Sequence, residues 1–472
     1  MKINIYNTNI YEETITELSK LIKGTQWENK VFLVGGAVRD LIMHKPIKDI
    51  DICVMMENGG IKFAEWVCKE TGCYHKDSNP CIFEAYGTAK FNIRTIHKIS
   101  NVDIECVHTR KEQYHDKTSR NPSTEYGTIK EDSERRDLTI NALYLNISSF
   151  DVIDPTNKGL DDIEEQILRV PTDPSIVYSD DPLRMLRAIR FSAKLGWGIE
   201  KNTWVGIVKN KNRINIISQE RITEEINKIL ISDRPSYGIK KLDKCGLLKI
   251  VLPEIYDLKG IEHSDKHFGD VFEHTMEVLD KTKPILINRL AGLFHDCGKP
   301  YNISNINGTP HFYGHETTSA QIVEEVMKKM KYSNSEIKKV AIAIKNHMRF
   351  KNSGDNCPSN KAVRKFISDV GEENVGLTLD LIDADNKSHS KEYSYENQVS
   401  LIKNKIYEFN KEAETKENNK IPINGTDIMK KFNLKSSPVI GKYLRIVEDS
   451  FYENPNITKE ECLKIVEKLL TV

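Results

Sequence analysis

An apolar run, Val31-Phe32-Leu33-Val34, ends in Gly35-Gly36, and "DIDICV" at residues 49–54 follows with two acidic side chains. A strand that ends in glycines and turns into a helix presents backbone N–H groups to an anion, and without side chains there a phosphate can come close. Arg39, one turn into that helix, can add a fork of donors. Asp49 and Asp51 stand two apart on a strand, so their side chains share a face. Two carboxylates side by side repel unless cations lie between them. Divalent ions about 3.5–4 Å apart are the arrangement that serves in-line phosphoryl transfer. All-oxygen ligands point to Mg²⁺. An isolated D-x-D also suits a solvated surface turn. Neither GxxxxGK[ST] nor GxGxxG occurs, so the Walker loop and the dinucleotide fingerprint do not fit.

The elements that must position these groups read as mixed α/β over residues 1–150. A helix is expected at about 10–23. Strand-like runs follow at "CIFEAYGTAKFNI" and "DIECVHT", whose alternation suits a half-buried sheet. The polar segment "RKEQYHDKTSRNPSTEYGTIKEDSE" (110–134) reads as a mobile loop before "RRDLTINALYLN". From about residue 160 the periodicity is helical. The expected division is 1–155, 156–260, 261–405 and 420–472, with "NKEAETKENNK" as the last linker.

The bulk numbers narrow the class. The 472 residues suffice for several domains, and 39% are apolar. No apolar run reaches the roughly 18 residues of a membrane span, and "MKINIYNTNIYEET" lacks a signal-peptide core. The chain therefore reads as soluble and cytoplasmic. Nine cysteines without a CxxC pair argue against a disulfide framework or a zinc ribbon. A formal net charge of zero speaks mildly against a nucleic-acid partner, but basic residues gather in "RRD", "DPLRMLRAIRF" and "KIPINGTDIMKKFNLKSSPVIGKYLR".

"VGGAVRD", "DIDICV", "RRDLTINAL" and "DDPLRMLRAIRF" occur in one order. That order resembles class II (bacterial-type) tRNA nucleotidyltransferases and the related poly(A) polymerases. The resemblance implies an α+β multidomain chain. A head similar to DNA polymerase β, with a mixed sheet and helices, would precede an all-α neck, a further domain and a tail. It further implies that Gly36 and Arg39 contact the triphosphate, that Asp49 and Asp51 are catalytic Mg²⁺ ligands, and that Arg136, Asp137 and Asn141 contact the nucleotide. A third carboxylate would be Asp103 or Glu105.

"SDDPLRMLRAIRF" starts as a helix should, with Asp180 or Asp181 as N-cap and Pro182 in the first turn. Asp181, Arg184 and Arg187 are spaced by three and share a face, and Arg190 continues the row. Cytosine and adenine both present an amino donor beside a ring-nitrogen acceptor. A carboxylate and a guanidinium match that edge, whereas guanine and uracil reverse it. The bland alternative is a capped amphipathic helix with salt-bridged arginines. The resemblance implies base selection by the acidic pair and Arg184, although its usual Glu-Asp is Asp180-Asp181 here.

A second cluster comprises His274, His295-Asp296 and Asp385, with Asp383 as a rival and His311, His315 and His347 between them. Mixed nitrogen and oxygen ligands suit a divalent transition metal that activates water for phosphate-ester hydrolysis, and the extra histidines leave room for a second ion. The pattern resembles HD-superfamily phosphohydrolases. Cys297 reads as packing. The tail reads as helix, turn, helix with Lys435, Lys442 and Arg445 placed to hold phosphates, or as a solvated charged hairpin. It resembles the tRNA-binding unit of the same family, with Ser436-Ser437 at the turn.

The expected function is template-independent addition of CCA to the 3′ end of tRNA from CTP and ATP. The rivals are a poly(A) polymerase, an enzyme adding only CC or only A, a metal phosphohydrolase with an inactive head, and a non-catalytic tRNA-binding module.

Overall fold

The structure is a computed structural model that describes residues 1–71, 80–84, 87–94, 101–113, 123–262, 269–306, 308–354, 356–389, 394–414 and 421–470. The chain forms two compact units, Met1–Leu252 and Pro253–Val472.

In the first unit, α1 (Ile10–Ile22) starts at Asn9, whose side chain accepts from the N–H groups of Tyr11 and Glu12. There follow β1 (Val31–Val34), α2 (Gly36–Ile42), β2 (Ile50–Val54), α3 (Gly59–Glu70), β3 (Cys81–Phe83), β4 (Thr88–Arg94) and β5 (Asn101–His108). The segment expected to be a loop is structured at both ends. β6 (Arg110–Gln113) pairs antiparallel with β7 (Ser123–Tyr126), and α4 (Ile129–Glu134) carries a capping box between Thr128 and Glu131. Its middle, residues 114–122, lies outside the described residues. β8 (Tyr144–Asn146) and β9 (Val152–Ile153) complete a seven-stranded sheet of order β3-β4-β5-β2-β1-β8-β9. Only β2 and β5 run parallel, with Asp51 opposite Glu105; every other neighbouring pair is antiparallel.

One side of this sheet buries Ile15, Leu18, Trp27, Phe63 and Val67, contributed largely by α1 and α3. A Cβ on Gly60 would lie 2.7 Å from the Cys106 carbonyl, so glycine is what lets α3 lie against β5. Phe32, Val34, Cys53 and Tyr144 form a smaller apolar cluster.

The neck comprises α5 (Gly159–Glu164), β10 (Ile167–Leu168), α6 (Pro174–Asp180), α7 (Leu183–Leu195), β11 (Gly198–Ile199), α8 (Lys201–Asn210), α9 (Gln219–Leu230), α10 (Pro235–Cys245) and α11 (Leu248–Val251). The short parallel pair β10–β11 is a departure from the all-helical expectation. α7 buries Leu183, Met185, Leu186, Ile189 and Phe191.

The second unit contains α12 (Pro253–Tyr256), α13 (Val271–Lys281), α14 (Leu286–Phe294), the hairpin β12 (Ser304–Ile306) and β13 (Thr309–His311), α15 (His315–Lys329), α16 (Asn334–Asn346), α17 (Asn360–Val370), α18 (Glu372–Asn386) and α19 (Gln398–Glu414). Linker residues 415–420 lie outside the described residues. The tail, α20 (Gly425–Phe432), α21 (Pro438–Glu453) and α22 (Lys459–Leu470), has its own core of Ile423, Ile428, Ile440, Val447, Cys462 and Val466. Of the eight described cysteines six are buried, as small apolar residues would be. No helix among the described residues is long and apolar enough to cross a membrane.

Candidate active site and metal centre

In the first unit, Gly35 leaves β1 at φ +72°, a left-handed conformation that side chains rarely adopt. A Cβ there would lie 3.9 Å from both Asp51 Oδ2 and Arg136 Nη1, so the glycine sits between carboxylate and guanidinium. It lines a cleft of about 650 Å³ together with Gly36, Asp49, Asp51, Asp137, Asn141 and Phe191. Arg39, Lys45, Lys48, Arg136, Arg187, Arg190 and Lys194 bring more positive charge to this lining than Asp40, Asp49, Asp51, Asp137 and Asp233 bring negative. α2 has only seven residues, so these side chains, rather than the helix, supply most of the field an anion would meet.

Asp49 and Asp51 are both exposed to this cleft and separated by one buried residue, Ile50. The parallel register places Glu105 beside Asp51 on the same face of the sheet. Asp103 is instead paired with Lys90 at 2.9 Å and accepts from Asn92. The geometry thus separates the two alternatives for a third carboxylate in favour of Glu105. The protein packed around Asp51, then the charges of Asp49 and Glu105, push its carboxyl up to about 6, with Arg136 pulling the other way. Carboxylates whose charges raise Asp51 in this way are a donor set that a divalent cation would stabilise.

A hydrogen-bonded chain ties three motifs together. Arg39 is buried; its Nε and Nη2 grip Asp40, and its Nη1 donates to Asn141 Oδ1 at 2.8 Å. Its fork is therefore engaged within the protein. Asn141 Nδ2 donates to Asp137 Oδ1, and Arg187 of α7 grips Asp137 Oδ2 at 2.8 Å and 2.6 Å. Burial pushes Asp137 up, but Arg187 and the Asn141 hydrogen bond outweigh it and hold the carboxyl at about 2. Arg136 is anchored by buried Asp132, which also receives Arg135 and the Tyr144 hydroxyl. Asp132 is a site residue the sequence reading passed over. Its signal was the spacing of Asp132 to Arg135 and Arg136, three and four along a helix. Lys45, Lys48 and Lys194 were also missed, because nothing local marks a lysine as facing a cleft.

The structure puts Asp181 and Arg184 elsewhere than Arg187 and Arg190. Asp180 ends α6, and Asp181 Oδ1 accepts from the Leu183 N–H just ahead of α7. Asp181 Oδ2 lies 3.3 Å from Arg221. Arg184 is buried, donates to the Val177 carbonyl and lies 3.8 Å from Glu112 of β6. Neither Asp181 nor Arg184 lines the cleft, whereas Arg187 and Arg190 do. Arg190 also pairs with buried Glu225 at 3.1 Å.

In the second unit, α13, the end of α14, the start of α15, the end of α16 and α18 deliver His274, His295-Asp296, His315, His347 and Asp385 to one buried cluster. His274 Nε2 lies 3.2 Å from Asp385 Oδ1 and 3.4 Å from His295 Nε2. Asp296 Oδ2 lies 3.2 Å from His295 Nε2 and 3.7 Å from His274 Nε2. The ligand atoms of His274, His295 and Asp385 lie close enough to one another to hold one ion, as do those of His295, Asp296 and His347. Lys299 reaches Asp296 and Lys351 reaches Asp385, at 2.6 Å and 2.8 Å. Burial pushes His274 down to about 4 and His347 down to about 3, so both imidazoles stay neutral as metal ligands must. Of the rivals, Asp383 pairs with Lys387 and His311 stacks on Tyr313, so neither joins the cluster. Cys297 turns its thiol to the Ser319 carbonyl. His389, 5.7 Å from His274 between ring centres, is an addition the sequence reading did not name.

Lys435, Lys442 and Arg445 are exposed around the start of α21, with Pro438 in its first turn.

Residues 31–169 match the family described as the poly A polymerase head domain, 196–258 the probable RNA and SrmB-binding site of polymerase A, and 267–412 the HD domain. The multifunctional CCA protein of Haemophilus influenzae is 31% identical over 328 residues, 64% of this chain and 71% of that protein. The A-adding tRNA nucleotidyltransferase of Deinococcus radiodurans is 30% identical over 232 residues, 47% of this chain and 52% of that protein. The chain thus spans about half the length of some curated relatives it matches. Among solved structures, the Bacillus stearothermophilus CCA-adding enzyme in complex with CTP has the same fold. Its TM-score is 0.63 at 18% identity, over 97% of this chain and 96% of that one.

Proposed function

The chain belongs to the family of CCA tRNA nucleotidyltransferases, and we propose that it adds CMP, CMP and AMP in turn to the 3′ end of tRNA, from CTP and ATP, with release of pyrophosphate. The observation that carries this reading is that Asp51 stands beside Gly35 and opposite Glu105 in the sheet, and lines a cationic cleft together with Asp49.

Asp49, Asp51 and Glu105 would hold two Mg²⁺, which when bound lower the pKa of the attacking 3′ hydroxyl and steady the leaving pyrophosphate. Gly35 and Gly36 let the triphosphate approach the backbone. Lys45, Lys48, Arg136, Arg190 and Lys194 neutralise it, with no reorganisation needed because Arg136 and Arg190 are already pinned to Asp132 and Glu225. Arg39, Asn141, Asp137 and Arg187 shape the wall. Asp181 and Arg184 select the base: the carboxylate accepts from the amino group of C or A, and the guanidinium donates to the ring nitrogen. For this, Arg184 exchanges Glu112 and the Val177 carbonyl for the base edge. Lys435, Lys442 and Arg445 hold tRNA phosphates, and the site of action is the cytoplasm.

In the second unit, His274, His295, Asp296 and Asp385 would hold a divalent transition metal, which when bound supplies an activated water for phosphate-ester hydrolysis. A second reading, addition of A alone, is favoured by the A-adding relative. Incubation with each NTP and with tRNAs ending before CCA, after C and after CC separates the readings. Stepwise C, C, A supports the proposal; A added only after CC selects the second reading; long A tails overturn both.

A further inference from the structure

We infer that the first unit carries a second, smaller site, for a small anion with an apolar body, and that this site competes with the catalytic cleft for Lys45. Residues 2–12 and the end of α2 with the turn after it enclose a cavity of about 300 Å³, within the range of small-molecule sites. Ile3, Leu41, Ile42 and Pro46 line it together with the Tyr6 ring. Ile3 and Leu41 belong to the core beneath the sheet, so this floor is fixed. The walls are held by the backbone. Ile3 N–H donates to the Phe150 carbonyl at 3.0 Å, and Lys2 bridges to Asp151. Across the cavity, His44 turns the chain at φ +55°, and Lys45 N–H donates to the Asp40 carbonyl at 2.8 Å. The cavity is therefore formed before any ligand arrives. Its charged lining is Lys2, Lys45 and Glu12. Glu12 already accepts from the Thr8 N–H, the Thr8 hydroxyl and the Asn9 side chain. Among the described residues neither Lys2 nor Lys45 has an ion-pair partner. Two unpaired ammonium groups over an apolar floor suit a ligand that buries a hydrocarbon body and keeps one negative head. Lys45 and Pro46 also line the catalytic cleft. One ammonium serves one anion at a time, so a ligand in the cavity and a triphosphate in the cleft weaken each other by the same factor. The cavity stands apart from the nucleotidyl-transfer reading; only the competition rests on it.

The test titrates para-fluorobenzenesulfonate into the full chain and follows it by fluorine NMR. Saturable binding is expected, and the neutral para-fluorobenzyl alcohol should bind severalfold more weakly. Ile42→Trp fills the cavity and should abolish sulfonate binding while CTP still binds. Saturating CTP should weaken the sulfonate about fivefold in the parent, and Lys45→Met should remove that effect. No saturable binding, equal binding of the alcohol, or binding that survives Ile42→Trp overturns the site. A sulfonate affinity that CTP leaves unchanged overturns the competition. If CTP itself does not bind, the nucleotidyl-transfer reading falls, while the sulfonate titration still decides the cavity.

Discussion

The two clusters hold their acids in opposite ways. In the first unit Asp49 and Asp51 line an open cleft with Glu105 opposite Asp51 in the sheet, and the protein packed around Asp51, then the charges of Asp49 and Glu105, push its carboxyl upward. In the second unit the ligands are sealed, and His295, His315 and His347 are each fixed by a backbone carbonyl through Nδ1. An open carboxylate group suits ions that arrive and leave with a triphosphate. A buried histidine set suits ions that stay. The lesson is that the first site needs rigidity from elsewhere, and the Asp132 and Asp137 networks provide it.

The strongest way to break this contrast is to remove each set in turn. Asp49→Ala with Asp51→Ala should lower nucleotide incorporation at least about 10³-fold, several kcal/mol of barrier, and spare hydrolysis. His295→Ala should do the reverse. Loss of both activities in either variant would show that the sites are not separable. Next in size is Asp132→Ala, which takes the carboxylate from Arg136 and leaves Arg135 with Glu112, and should cost about 3 kcal/mol in urea unfolding, with incorporation impaired. A loss below about 1 kcal/mol would mean that Arg136 holds its place unaided.

Acid sharpens the same point. Asp137 is held at about 2 against a usual 3.8. Its ionised form therefore stabilises the fold fully above about pH 4, and the contribution of about 2 kcal/mol is lost as pH falls through 2. Unfolding midpoints of the parent should drop faster over that window than those of Asp137→Asn; parallel curves would refute the pairing. The smallest effect belongs to the tail. Lys435→Ala, Lys442→Ala and Arg445→Ala should each weaken tRNA binding at all 3′ ends alike and lower the salt slope by about 1. A change confined to one 3′ end would assign them to base readout instead.

How much of this the chain disclosed depends on range. Gly35-Gly36 and the shared face of Asp49 and Asp51 follow from a strand's period of two, and His295-Asp296 from simple adjacency. The choice between Asp103 and Glu105 waits on the register of β2 with β5, set by pairing residues some fifty positions apart. Arg184 was legible as one face of a helix with Arg187, yet it turns to Glu112 because β6 packs there. Asp385 and Asp383 differ by half a turn of α18, so only the direction of that helix assigns one to the cluster. Family motifs gave the head, while the engaged fork of Arg39 on Asp40 and Asn141 is a tertiary fact.

The claim on which the rest depends is that open acids beside Gly35 take up cations. Crystals grown with Mn²⁺ and a non-hydrolysable CTP analogue, examined by anomalous scattering, test it directly. Two manganese peaks are expected between Asp49, Asp51 and the analogue's phosphates. Analogue density with no peak at those carboxylates would contradict it.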